Sequence, residues 1–85
     1  MTDKTLLTAF WNCGDNQIIE FALIRARLNA QEKLVITLML DECMTQEQVA
    51  EKLDFSVRKI QILWTQGATK LLNIPWVLAY AKSIL

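Results

Sequence analysis

Apolar residues recur along the chain in short segments at helical spacing, and most segments open on a residue suited to cap a helix. Leu6, Leu7, Phe10 and Trp11 form the apolar side of a first segment, Thr2 to Trp11, with Thr2 as its cap. Asn12-Cys13-Gly14-Asp15 reads as a turn, and Asp15 caps a second segment, Asn16 to Leu28. The stripe of that segment is Ile18, Ile19, Ala22, Leu23 and Ala26, with Glu20, Arg25 and Arg27 off it. Asn29 and Glu32 have capping-box spacing and start a third helix, Ala30 to about Glu42. Leu34, Val35, Leu38 and Met39 are expected to face inward there. Ile36 and Leu40 make the helix apolar on more than one side, as befits the centre of a bundle.

The next stretch, Thr45 to Leu71, reads as two helices joined by a tight turn. Thr45 and Gln48 repeat the capping-box spacing, and Val49, Ala50 and Leu53 share one face of a short helix. Asp54-Phe55 breaks the pattern, and Ser56 caps a second helix in which Ile60, Leu63 and Leu71 recur at helical spacing. Ala50 is small where crossing helices approach closely, and Phe55 is placed to plug the turn. This is the grammar of a helix-turn-helix whose second helix is presented outward.

The run EQVAEKLDFSVRKIQILWTQGATKL resembles the C-terminal helix-turn-helix of bacterial sigma factors (region four), and almost equally the DNA-binding domain of LuxR-type regulators. Upstream, LNAQEKLVITLML resembles the scaffold helix of both families, so the likeness spans Leu28 to Leu72, about half the chain. The resemblance implies a regulator acting near promoters on double-stranded DNA, on RNA polymerase, or on both. Small stand-alone proteins of this type also occur in phages and mobile elements. Three positions depart from the pattern. Asp54 stands where such turns often carry Gly for a positive φ, although Asp tolerates that region better than most residues. Val57 and Ile62 occupy positions that are polar in the sigma pattern.

Asn73-Ile74-Pro75 ends the outward helix, and Pro75 suits the first turn of another. Trp76, Val77, Leu78, Tyr80, Ala81, Ile84 and Leu85 make that closing segment strongly apolar. It either folds back over the core or exchanges with a second subunit. The expected architecture is one all-α domain of five or six helices containing a helix-turn-helix. Its parts are residues 1–28, helices that could serve a dimer or partner; 29–72, scaffold helix plus motif; and 73–85, the apolar C-terminal helix.

Composition narrows the chemistry. Eighty-five residues suffice for one small core, and a hydrophobic fraction of 53% leaves apolar surface over for a partner. No apolar run approaches the roughly 18 residues needed to span a membrane. The N-terminus lacks the features of a secretory signal, so a cytoplasmic location is expected. There is no histidine, the commonest general base, and Gly14 and Gly67 are the only glycines, so no phosphate-cradling loop exists. Cys13 and Cys43 alone cannot complete a four-ligand zinc site and read as reduced thiols, one in a turn and one near a helix end. Neither an enzyme nor a cofactor is expected. Nine basic and nine acidic residues cancel, whereas a free-standing DNA binder usually carries a basic excess. DNA binding would therefore be weak alone, or would depend on dimerisation or a larger complex.

The residues expected to meet DNA follow from placing the second helix in a major groove. Val57, Arg58, Gln61 and Ile62 would face base edges: Arg pairs with guanine, Gln with adenine, and Val or Ile meets only a thymine methyl. Lys59 and Thr65 would reach phosphates, as would Thr45 and Gln46 at the opening of the preceding helix. The plainer reading is that Arg58, Lys59 and Gln61 merely solvate an exposed face. Apolar Val57 and Ile62 on an exposed helix suit protein binding, which makes an adaptor or inhibitor the alternative. Trp64 is read as core, and Gly67 as a site of close packing by another helix, the C-terminal one being the candidate. Arg25, Arg27 and Lys33 either form a small basic patch or balance Glu20 and Glu32, the second reading being preferred. Trp11, Trp76 and Tyr80 are read as core or dimer-interface aromatics.

Overall fold

A computed structural model describes residues 2–84, the Cys13 side chain excepted. The expectations for Cys13 as a thiol and for Leu85 lie outside the described residues. Among those described are α1 (Asp3–Cys13), α2 (Asn16–Ala26), α3 (Ala30–Leu40), α4 (Gln46–Leu53), α5 (Val57–Leu72) and α6 (Pro75–Ile84), with no strand. The fold is all-α.

Each expected N-cap is in place. Asp15 accepts the Ile18 N–H at 2.8 Å, and Thr2 and Ser56 do the same for Thr5 and Lys59, each at 3.1 Å. Asn29–Glu32 and Thr45–Gln48 close full capping boxes, each side chain bonding the other's backbone N–H. A cap of this kind contributes about 1 kcal/mol by satisfying an otherwise orphaned donor.

Helix ends differ by one or two residues, for local reasons. α1 runs on through Cys13 rather than turning at Asn12, because the Gly14 N–H still closes a bond to the Phe10 carbonyl at 2.8 Å. α2 stops at Ala26, where Arg27 enters the left-handed region (φ 56°). α3 stops at Leu40, and Cys43 is left-handed (φ 55°) in the link to α4.

α3 and α5 form the central crossing of the domain. Val35, Ile36 and Met39 of α3 are buried, as are Ile60, Leu63, Trp64, Ala68 and Leu71 of α5. Leu34, expected inside, is 43% exposed. It lies on the Ala30–Gln31–Asp41 side of α3, the side turned away from α5. The close approach at Gly67 is made by α3 rather than by the C-terminal helix. A Cβ on Gly67 would lie 2.9 Å from Cγ1 of Ile36 and 3.7 Å from Cβ of Glu32.

Glu32 is buried in the same crossing, 1% exposed. Lys70 of α5 donates to its Oε1 at 2.6 Å, and the Asn29 N–H donates to the same oxygen at 3.0 Å. Burial pushes this carboxyl upward. The Lys70 hydrogen bond, the Asn29 N–H and the Lys70 charge outweigh that, so its pKa ends below the ordinary 4.5. Glu32 is thus the partner of Lys70, not a counter-charge for Arg25 and Arg27.

α6 folds back on its own chain and packs mainly on α1, with a smaller contact to α5. Val77 and Ala81 are buried, and Phe10 meets Tyr80 edge-on at 5.6 Å and Trp76 at 6.1 Å. Trp11 is half-buried, its Nε1 donating to Asp41 at 3.4 Å. No helix of the described residues is long and apolar enough to cross a membrane.

Candidate nucleic-acid interface

The α4–α5 unit is built around a turn that sets its geometry. Asp54 follows α4 in the left-handed conformation (φ 57°, ψ 42°), and the Phe55 N–H returns to the Ala50 carbonyl at 2.9 Å. Together these make a Schellman closure, in which the left-handed residue lets the next N–H reach back along the helix. Asp54 therefore does without glycine what the turn requires. Phe55 is half-buried against the core, as expected of a plug, and Lys59 Nζ lies 4.0 Å from its ring centroid. That cation–π contact, worth about 0.5–1 kcal/mol at an exposed site, holds the lysine over the turn.

Inward residues of the unit anchor it. Val49, Ala50, Ile60, Leu63 and Trp64 are all buried, so α5 has one orientation relative to the core. Its opposite side presents Arg58, Gln61, Ile62 and Thr65, all exposed, which line a shallow groove together with Gln66. Ile62 is 46% exposed, an apolar side chain in an otherwise polar row. Gln66 was not among the residues expected from the sequence, although it stands four residues beyond Ile62 and so on the same face.

Gln61 Nε2 donates to Gln46 Oε1 at 3.2 Å, tying the outward face of α5 to the first turn of α4. Thr45 is exposed beside it, its hydroxyl accepting the Gln48 N–H. Of the eight expected residues, Gln46, Arg58, Gln61, Ile62 and Thr65 thus lie on one connected surface. Thr45 stands at its edge, and Lys59 lies at the turn. Val57 departs from expectation: it is half-buried and packs against the core, so it is not presented like its neighbours. Val57 stands three residues before Ile60 and seven before Trp64, so helical spacing puts it at the end of the buried stripe of α5. Trp64, read as core, is 9% exposed and part of it.

Charge is mixed across the unit. Lys52, Arg58, Lys59 and Lys70 are set against Glu47, Glu51 and Asp54, and Lys70 is committed to Glu32. Among the described residues, no group of three or more His, Cys, Asp or Glu could hold a metal ion. No protein-family model, curated protein or solved structure matches this chain.

Proposed function

We propose that this chain is a small helix-turn-helix regulator of transcription, similar to a sigma factor region four, that binds promoter DNA, RNA polymerase, or both. The observation that carries this reading is the connected polar row on α5, tied through Gln61 to the N-terminus of α4. In a major groove, Arg58 would pair with O6 and N7 of a guanine. Gln61 keeps its carbonyl oxygen and a second amide hydrogen for an adenine edge, while Gln46 holds the amide in place. Ile62 would meet a thymine methyl. Thr45, Thr65 and the first N–H groups of α4 would reach phosphates, with Lys59 beside them.

The test is a salt titration of binding to a mixed pool of duplex DNA. The expected result is selection of a sequence, with log K falling against log salt by about 0.9 per phosphate contacted. Arg58→Ala and Gln61→Ala should each weaken binding to the selected duplex about 10- to 100-fold, the usual range for losing one base contact, without unfolding the domain. No binding even at low salt overturns the DNA reading.

A second reading, a helix-turn-helix scaffold used as an adaptor or inhibitor, is favoured by one observation: Ile62 stands exposed in the row of a chain with no net charge. There, Arg58→Ala would leave DNA behaviour untouched, and Ile62→Asp would abolish capture of a protein partner, with RNA polymerase the first to try.

A further inference from the structure

Ile62 aside, the most exposed large apolar side chains lie away from the α4–α5 unit, on α2. Ile24 is 73% exposed and Phe21 59% exposed on α2, and Trp76 is 37% exposed on α6. The Phe21 and Trp76 rings lie 5.9 Å apart, so the surface is continuous across the two helices. Together these side chains leave roughly 350 Å² of apolar surface in water, the size of the patches on monomers that usually mark a contact. Phe21 and Ile24 do not belong to the side by which α2 packs on the core. The stripe that anchors α2 is Ile19, Ala22 and Leu23.

What would cover this face is written in the charges beside it. Gln17, Phe21 and Ile24 follow one another at intervals of four and three residues, the spacing of a helix–helix seam. Glu20 flanks that seam on one side in line with Arg27, seven residues on, and Arg25 flanks it on the other. All three are exposed, and none is in a salt bridge within the described residues. When α2 is laid against a second α2 by a two-fold axis, Glu20 of each meets an arginine of the other. That arginine is Arg27 if the helices run antiparallel, and Arg25 if they run parallel. A patch that complements itself is what an isologous contact requires.

We propose that this face binds a second copy of the chain, with Phe21 and Ile24 of the two copies packed together, Trp76 at the side, and Glu20–Arg pairs closing both ends. The proposal does not depend on DNA binding. A stable complex usually buries about 800 Å² per partner, so this contact is small and its dissociation constant should lie in the range of about 10–100 µM. On DNA it would bring two α5 helices into one complex, offsetting the missing basic excess by avidity.

The experiment is sedimentation equilibrium of the full chain from about 1 to 300 µM, spanning the expected constant, with circular dichroism on each variant to confirm unchanged helix content. The expected result is a reversible monomer–dimer equilibrium that Ile24→Asp shifts at least about tenfold toward monomer. Glu20→Arg alone, and Arg25→Glu with Arg27→Glu, should each weaken the dimer, because each sets like charges opposite one another. Mixing those two variants should restore a heterodimer, because the reversed charges then match. A monomer at every concentration overturns the proposal. So does a dimer indifferent to Ile24→Asp, or a mixture that associates no better than its components. A face that stays monomeric yet is protected by added RNA polymerase overturns it in favour of that partner.

Discussion

The α3–α5 crossing and the α2–α6 face are both rich in apolar residues, and they treat them in opposite ways. At the crossing, Gly67 lets Ile36 approach within the space a methyl group would fill, and the buried Glu32 carboxylate is matched by Lys70 and a backbone N–H. At the face, Phe21 and Ile24 remain largely in water and Trp76 partly so, with Glu20, Arg25 and Arg27 exposed along α2. Hydrophobicity alone does not separate the two regions. Shape and the pairing of charge do: the crossing is complete within one chain, and the face is not. Substitutions at the crossing should therefore change stability, and substitutions at the face should change association.

The largest break in that comparison is expected at Lys70. Lys70→Met leaves the Glu32 carboxylate buried with only the Asn29 N–H, and should lower unfolding free energy by about 2 kcal/mol. That is less than the 3–5 kcal/mol typical of a fully buried pair, because the Lys70 side chain is 42% exposed. Because the folded carboxyl has a lowered pKa, its contribution is fully present above the ordinary 4.5 and disappears as pH falls through the lowered value. Urea unfolding of wild type from pH 7 to pH 2 should therefore lose stability across that acid window. Glu32→Gln should flatten that part of the profile. A variant profile parallel to wild type would mean that other carboxylates dominate.

Next comes Gly67. An alanine there gains helix propensity of up to about 1 kcal/mol but forces its methyl onto Ile36, and such overpacking costs about 1–3 kcal/mol. Ile36 is fully buried and cannot swing away. Gly67→Ala should therefore destabilise by about 1 kcal/mol, read as a lower urea midpoint with an unchanged slope. An increase in stability would show that α3 can shift, and that the crossing is looser than its distances indicate.

These two sites show how far the chain can be read from its residues. The caps Thr2, Asp15, Asn29, Thr45 and Ser56 were legible because a cap is a local matter of one side chain and the N–H three residues on. The buried stripes of α2 and α5 were legible from periodicity, as was that of α3 apart from Leu34, and so was the need for close packing at Gly67. Which helix fills the space at Gly67 was not, because a glycine records proximity without naming its neighbour. Glu32 was read as a cap and as a surface charge. Its Lys70 partner is 38 residues away, and no local pattern joins them. At the candidate interface, helical spacing brought Arg58, Gln61, Ile62 and Thr65 to one face. The same spacing puts Val57 on the side of Ile60 and Trp64, and its placement among the outward residues came from the likeness to the sigma pattern instead. Phe21 and Ile24 escaped notice because they fall beside the stripe that anchors α2, and only the packed fold leaves them uncovered.

A smaller effect, of opposite sign, is expected for Asp54→Gly between α4 and α5, in neither region. Asp54 holds a left-handed conformation that an L-residue adopts at some cost. Asp54→Gly removes that cost but adds freedom to the unfolded chain, and the net should be a gain of about 0.5 kcal/mol. Asp54→Val, with a branched side chain at positive φ, should lose more than 1 kcal/mol on the same grounds. A gain for both would mean that the turn relaxes out of the left-handed region.

The smallest effect on stability is expected at the site with the largest effect on association. Ile24 is 73% exposed, so Ile24→Asp removes little buried surface from the monomer and sets its carboxylate near Arg25 and Arg27. Measured at a few micromolar, where the proposed dimer is dissociated, its unfolding free energy should match wild type within about 0.5 kcal/mol. At several hundred micromolar, wild type should melt higher and the variant should not, because a contact made only by the folded state stabilises it by mass action. If the variant were instead clearly destabilised when dilute, Ile24 would belong to the monomer's own core. The α2–α6 face would then be a weak part of the fold and not a surface held open for a second chain.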